Sequence, residues 1–146
     1  MNASELWSKF KVNHNIDTNE YETWAFGASP DELLELVLQG KKRATASAYI
    51  LYELGIDPAP LLGGYSVLLN SKGEAKCIIQ TTVLNYVPFK EVTEAFANKE
   101  GEGDGSLAYW REAHTEFFTS CLKEIGETFM DDMIVVCEEF EVVYKA

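Results

Sequence analysis

Residues 40–47, Gly-Lys-Lys-Arg-Ala-Thr-Ala-Ser, place three consecutive cations and two hydroxyl side chains just after a predicted helix. Gly40 fits the exit of that helix, and the residues after it predict a strand that begins near Lys41. Because side chains alternate along a strand, its two faces carry different chemistry. One face would hold Arg43, Thr45 and Ser47, and the other Lys42, Ala44 and Ala46. This basic segment, residues 40–47, is therefore the first candidate for a binding site.

The basic segment stands out because the chain as a whole is acidic. It has 24 acidic and 12 basic side chains, for a formal net charge of -12. A local reversal of charge meets an anion, a polar ligand or a carboxylate from elsewhere in the chain, and the alternative is a solvated basic turn. The overall charge opposes sequence-independent binding to a long phosphate backbone, so we expect no DNA partner.

Length and composition indicate one globular domain. At 146 residues and 47% hydrophobic content the chain can bury a core, with residues 1–23 as a helical N-terminal extension. Three cysteines without a CxxC pair favour reduced thiols over disulfides or a zinc site. The N-terminus lacks the apolar core of a signal peptide, and no run reaches transmembrane length, so we expect a soluble, cytoplasmic protein away from membranes.

Two helices are indicated before the basic segment. Ser4 can cap a first helix that ends near residues 13–15. Ser29 and Glu32 have the spacing of a capping box, and Pro30 fits the first turn of a second helix. The second helix leads directly into the basic segment.

Alternating apolar residues predict strands later in the chain. Residues 64–84 have the pattern of an antiparallel hairpin, whereas residues 46–54 are ambiguous between helix and strand. A last strand follows the acidic turn at residues 130–132, and Glu138 interrupts its more apolar face. A buried Glu138 needs either a partner, which the basic segment could supply, or a raised pKa; at a sheet edge it would be solvated.

Residues 100–106, Glu-Gly-Glu-Gly-Asp-Gly-Ser, form a glycine-rich acidic loop that resembles the start of a calcium-binding loop. Arg111 stands where such a loop needs a bidentate glutamate, so we expect no metal. The glycines let backbone approach a ligand closely, and Ser106 can cap a long helix over about residues 107–125. His114 lies on the apolar stripe of that helix, either as a core histidine or as an acid–base group.

Five stretches form one pattern: residues 40–47, the strand around Tyr65, the acid after Ala97, residues 110–114 and residues 136–140. Together they resemble the ASCH domain family, a relative of the PUA RNA-binding fold, and in particular its longer bacterial subgroup. The resemblance spans about residues 24–144. It implies an α+β fold, a small PUA-like β-barrel of mainly antiparallel strands flanked by helices.

The resemblance also implies a function. ASCH domains are linked to RNA binding and processing, and one small bacterial branch hydrolyses the acetyl amide of N(4)-acetylcytidine. That branch uses a lysine proton acceptor, a threonine nucleophile three residues later and a glutamate proton donor, which fall on Lys42, Thr45 and Glu100. No metal or cofactor is expected. The resemblance further implies ligand-binding roles for Lys41, Arg43, Ser47, Tyr65, Trp110, Arg111, His114 and Glu138.

This chemistry is physically coherent. A threonine hydroxyl is a weak nucleophile until a neighbour takes its proton, and a lysine can do so only where burial or another cation favours its neutral form. Glu100 would then protonate the leaving nitrogen, while Arg43 or backbone N–H groups of the glycine-rich loop stabilise the oxyanion.

Hypotheses of different classes remain open. The first is a hydrolase of a small modified nucleoside. The second is a non-catalytic RNA-binding module in which Tyr49, Tyr65 or Trp110 stacks on a base. A third is RNA cleavage, in which Lys42 and a tyrosine would matter most. The expected partner is thus a small nucleoside-like ligand or single-stranded RNA at a local basic cleft.

Overall fold

A computed structural model describes residues 1–146 as one curled five-stranded half-barrel sheet with five helices. The helices are α1 (Ala3–His14), α2 (Pro30–Leu38), α3 (Ile50–Glu53), α4 (Glu94–Glu100) and α5 (Leu107–Glu124). The strands are β1 (Glu22–Trp24), β2 (Ala44–Ala48), β3 (Tyr65–Leu69), β4 (Ala75–Pro88) and β5 (Ile134–Lys145). A 3₁₀ turn at Phe89–Glu91 leads from β4 towards α4. None of the helices is long and apolar enough to cross a membrane.

The strand order is β1-β3-β4-β5-β2. Only β1 and β3 pair in parallel, and the other neighbours are antiparallel. The hairpin predicted over residues 64–84 is confirmed as β3 and β4, and the last predicted strand is β5. The expected α+β class, with mainly antiparallel strands flanked by helices, is therefore confirmed.

Different helices cover different parts of the sheet. One core cluster joins α4 and α5 to β2 and β5, with Trp110, Phe118 and Val135 among its members. A second packs α2 against β3, β4 and β5, and a third packs Leu6 and other residues of α1 against β3 and β4. Val37 of α2 belongs to the second cluster and Ala44 of β2 to the first. The basic segment therefore connects an element of one cluster to an element of the other.

Three local details differ from the sequence prediction. Asn2, rather than Ser4, caps α1 through its side chain. Ser29 precedes α2, but its backbone is left-handed (φ 45°) and its side chain makes no capping bond, so the predicted capping box does not form. Residues 22–24 form β1, a short strand that the sequence did not indicate. Three residues are too few for alternation to be visible.

The strand in the basic segment begins later than predicted. The backbone N–H groups of Lys41 and Lys42 both donate to the carbonyl of Leu36, which closes the last turn of α2. Regular pairing with β5 therefore starts only at Ala44. The ambiguous stretch 46–54 contains both structures, because β2 ends at Ala48 and α3 follows.

Candidate active site

A buried lysine, Lys42, lies where α2 leads into β2 and is only 2% exposed. Its Nζ donates to the backbone oxygen of Ala44 (2.8 Å), to Glu100 Oε1 (2.9 Å) and to Glu102 Oε2 (2.9 Å). An ammonium group has three protons, so each proton has an acceptor. Lys42 is thus held as a donor between two carboxylates, with its charge 5.3 Å from the centre of the Phe26 ring.

The backbone of the basic segment holds this lysine in place. The N–H of Arg43 donates to the carbonyl of Lys99 at the end of α4 (2.7 Å), and the carbonyl of Arg43 accepts from Phe140 of β5 (3.0 Å). Gly101 packs so closely on Lys41 that an added Cβ would lie 2.2 Å from the Lys41 carbonyl oxygen. The segment is therefore fixed against α4 and β5 on both sides.

Glu100 is the centre of the charged cluster and is 1% exposed. Its Oε1 accepts from Lys42, and its Oε2 accepts from Trp110 Nε1 and lies 3.2 Å from His114 Nε2. Burial alone would raise the pKa of Glu100, but the Lys42 charge and the bonds from His114 and Trp110 outweigh it and hold the pKa well below its ordinary value. Glu100 is ionised at neutral pH.

His114 completes the cluster from α5. Its Nδ1 lies 2.9 Å from the carbonyl oxygen of Trp110, and because a carbonyl only accepts, Nδ1 carries a proton. Burial opposes a charged ring, yet the hydrogen bond and the charge of Glu100 outweigh it and raise the pKa of His114. The ring also stacks on Trp110, with the ring centres 4.2 Å apart. His114 is thus buried in the core and also paired with the candidate acid.

The raised pKa of His114 predicts a pH-dependent contribution to stability. A group whose pKa is higher in the folded state stabilises most below its unfolded value of 6.5, and the contribution is lost as pH rises through the folded value. We expect the difference in free energy of unfolding between wild type and His114→Gln to be largest near pH 6 and to shrink towards pH 9. Urea titrations of both proteins at several pH values measure it, and a constant difference would contradict the ion pair.

A second polar group lies on the face of the sheet opposite to the side chain of Ala44. Thr45 and Glu138 are direct cross-strand partners of β2 and β5. Glu138 is 6% exposed, and its Oε2 accepts from the hydroxyl of Thr81. Burial raises the pKa of Glu138, and the Thr81 bond offsets this only in part. Nearby, the hydroxyl of Tyr52 donates to Ser47 Oγ at 2.7 Å.

The basic segment does not supply a partner for Glu138, because Lys42 pairs with Glu100 and Glu102 instead. Glu138 is not at a sheet edge either, since β5 lies between β4 and β2. Of the three possibilities that the sequence left open, the structure selects burial with a raised pKa.

Two cavities border the basic segment. One, of about 370 Å³, is lined by no hydrophobic residue and lies between Lys41, Arg43 and the glycine-rich loop, including Gly103. The other, of about 470 Å³, lies between α2 and β5 and is lined by Lys42 and Arg43 together with apolar residues such as Phe140. Lys41 and Arg43 are exposed and form no ion pair.

Three residues implied as ligand contacts have their side chains engaged within the protein. Trp110 is 2% exposed, and its ring packs in the core, so it has no free face for a base. Tyr65 packs edge-on against Trp7 of α1, far from the basic segment in the sheet order. Arg111 is exposed and donates to the carbonyl of Lys90 (2.9 Å). These corrections arise because an aromatic or basic side chain in a motif does not reveal which way it faces.

The structure also adds polar residues that the sequence analysis did not select. Glu102 is the second carboxylate on Lys42, Thr81 is the partner of Glu138, and Tyr52 is the partner of Ser47. Glu102 was visible as part of the glycine-rich loop. Thr81 could not be assigned, because a register shift between Thr81 and Val83 moves β4 against β5.

Glu100, Glu102 and His114 bring possible metal-ligating atoms within 4.8 Å of one another. The Lys42 ammonium lies 2.9 Å from both carboxylates. In this arrangement the acidic groups hold an internal cation, and a metal ion would have to compete with Lys42 for them.

A curled, mainly antiparallel sheet with a buried lysine at the start of β2 defines a PUA-like α+β domain. The chain belongs to the ASCH domain family, whose sequence profile matches residues 22–144. It is similar to protein EF3133 of Enterococcus faecalis V583, with 33% identity and a TM-score of 0.90 over 97% of this chain and 88% of that one. It is also similar to an ASCH domain of Lactobacillus crispatus JV V101, with 34% identity and a TM-score of 0.86 over 97% and 93% of the two chains. The chain matches no curated protein.

Proposed function

We propose that this protein is an amidohydrolase that acts on a small modified nucleoside such as N(4)-acetylcytidine. The observation that carries the proposal is the buried pair of Lys42 and Glu100. These residues are 58 positions apart in sequence and 2.9 Å apart in space. Buried ion pairs are expensive to desolvate, and perturbed ionisable groups are concentrated at functional sites.

The surroundings of the pair suit a small ligand. The cavity that Lys42 lines has a volume of about 470 Å³, within the range of about 300–1,000 Å³ usual for small-molecule sites. Its lining combines apolar residues such as Phe140 with the cation of Arg43, which matches a planar base with polar edges. The net charge of -12 favours such a ligand over a long polyanion.

Thr45 is the proposed nucleophile. Its side chain is half-buried, and its hydroxyl makes no hydrogen bond, so no protein partner competes for it. Lys42 can take a proton only after passing one to Glu100 along their 2.9 Å bond. All three protons of Lys42 have acceptors, so the exposed cation of Arg43 is the group available to stabilise the oxyanion that forms on the substrate.

The test measures the conversion of N(4)-acetylcytidine to cytidine by chromatography. We expect Thr45→Ala to reduce turnover on the order of 100-fold or more, since a covalent step loses its nucleophile, while Thr45→Ser retains a hydroxyl and part of the rate. Thr115→Ala, an exposed threonine on α5, is the matched control. Thermal unfolding of each variant checks that the fold is intact.

RNA binding is the second candidate, and one observation favours it. Lys41 and Arg43 are exposed cations without acidic partners beside a polar cavity of about 370 Å³. If this is the function, wild-type protein yields no cytidine, and Thr45→Ala leaves binding of a single-stranded RNA unchanged. Turnover by the wild type that depends on Thr45 would remove this candidate as the main function.

A further inference from the structure

Thr45 and Glu138 are the two groups near the basic segment with unused hydrogen-bonding capacity. Glu138 Oε2 accepts from Thr81, whereas neither Oε1 nor the Thr45 hydroxyl makes a protein hydrogen bond, and both atoms still touch solvent. Their Cα atoms are directly opposite across β2 and β5. Residues in such pairs have Cβ atoms about 4.5–5.5 Å apart on the same face of a sheet, so the carboxylate can reach the hydroxyl.

The Lys42–Glu100 pair has no such capacity. All three protons of the Lys42 ammonium have acceptors, and both oxygens of Glu100 are occupied, by Lys42 and by Trp110 and His114. Taking a proton from Thr45 would require this arrangement to open. The free carboxylate oxygen of Glu138, on the same face of the sheet as Thr45, requires no opening.

The environment of Glu138 also suits a base. No lysine or arginine pairs with it, Thr81 donates to it, and Tyr52 is the titratable group that faces it from α3. Burial raises the pKa of Glu138 above the ordinary carboxyl value. A carboxylate so shifted is a stronger proton acceptor at neutral pH than a solvated one.

We propose that Glu138 is the group that accepts the proton of the Thr45 hydroxyl when Thr45 attacks an acyl group. This inference rests on the proposed amidohydrolase function, and it leaves Lys42 and Glu100 as a buried ion pair that fixes the start of β2. The substrates are then acyl amides or esters whose carbonyl reaches the face of β2 that carries Thr45.

The proposed steps balance. The Thr45 oxygen forms a bond to the acyl carbon while its proton passes to Glu138 Oε1. The bond between the acyl carbon and the leaving nitrogen breaks, and Glu138 returns the proton to that nitrogen. A water molecule then attacks the acyl carbon of the Thr45 ester and loses a proton to Glu138. The bond between that carbon and the Thr45 oxygen breaks, Glu138 returns the proton to the Thr45 oxygen, and the carboxylic acid is released.

The experiment measures acetylation of Thr45 by p-nitrophenyl acetate, with the modified residue located by peptide mass spectrometry. This activated ester needs no nucleoside recognition, so the result is independent of the proposed substrate. We expect Glu138→Gln to slow acetylation of Thr45 on the order of 100-fold, because general-base catalysis is lost. Thr115→Ala is again the control.

Thr81→Val gives a second readout that a purely structural role would not move. The Thr81 hydroxyl lowers the pKa of Glu138, so its removal should shift the midpoint of the pH–rate curve for acetylation to higher pH. An unchanged midpoint, or equal acetylation rates in wild type and Glu138→Gln, overturns the inference.

Two other results are also decisive. If the wild type is not acetylated at Thr45, the inference is overturned, because Glu138 has no nucleophile to activate. If acetylation depends on Glu138 but N(4)-acetylcytidine is not hydrolysed, the inference stands and the proposed nucleoside substrate falls.

Discussion

Replacement of Lys42 by methionine should lower the free energy of unfolding by about 3–5 kcal/mol at pH 7, because removing one partner of a buried ion pair leaves the other charge uncompensated. Glu100 and Glu102 would lose the cation that lies 2.9 Å from each of them. Methionine fills much of the same volume, so the loss reports charge rather than a cavity. Urea denaturation followed by circular dichroism measures it.

The partly buried and more accessible pair of Lys99 and Glu139 is the matched control. Its N···O distance is also 2.9 Å, but its side chains are 40% and 24% exposed. We expect Lys99→Met to cost no more than about 1 kcal/mol, as is usual for surface ion pairs. The double variant of Lys42→Met with Glu100→Gln should recover part of the stability, since one orphaned charge is then gone. Equal losses of unfolding free energy in Lys42→Met and Lys99→Met would mean that the burial of the Lys42 pair does not determine its contribution to stability.

The three cations of the basic segment have two different environments. Lys42 turns inward and neutralises a carboxylate of α4, whereas Lys41 and Arg43 stay exposed beside the polar cavity. The backbone before β2 causes this division, because the N–H groups of Lys41 and Lys42 close the last turn of α2 and the N–H of Arg43 donates to Lys99 at the end of α4. The middle cation of the run, Lys42, is therefore buried, whereas Lys41 and Arg43 on either side of it are exposed.

The parts of the fold with strong local signals were predictable from the sequence. The β3–β4 hairpin has clear alternation, and Ser106 caps α5 as expected, accepting from the N–H of Tyr109. Gly40 also ends α2 with a positive φ of 78°. The predicted capping box of α2 was wrong, because Ser29 takes a left-handed conformation that its residue type does not indicate.

The candidate site was predictable only in part. The resemblance selected Lys42 and Glu100, but their bond joins residues 58 positions apart, and no local pattern encodes such a contact. The same limit applies to Glu138, whose partner depends on the register of β4 against β5. The direction of Trp110 into the core depends on how α5 rotates against the sheet, which an apolar stripe alone does not fix.

Gly101 supports the charged cluster through backbone contact. It follows Glu100 at the end of α4, has a φ of 67°, and lies so close to the basic segment that an added Cβ would be 2.2 Å from the carbonyl oxygen of Lys41. Both sides of this contact are backbone, so neither can turn away. An alanine here would push the Lys41–Lys42 backbone from α4 and strain the bond between Lys42 and Glu100.

We expect Gly101→Ala to lower the free energy of unfolding by about 1–2 kcal/mol for the left-handed backbone and by about 1–3 kcal/mol more for the forced separation. Gly126 is the matched control, because its φ is 76° and an added Cβ would meet nothing within 4 Å. Gly126→Ala should therefore show only the first loss. Urea titrations of the two variants isolate the contact with Lys41 as their difference. If both variants lose the same stability, α4 can shift away from the basic segment without cost, and the position of Glu100 is not fixed by this contact.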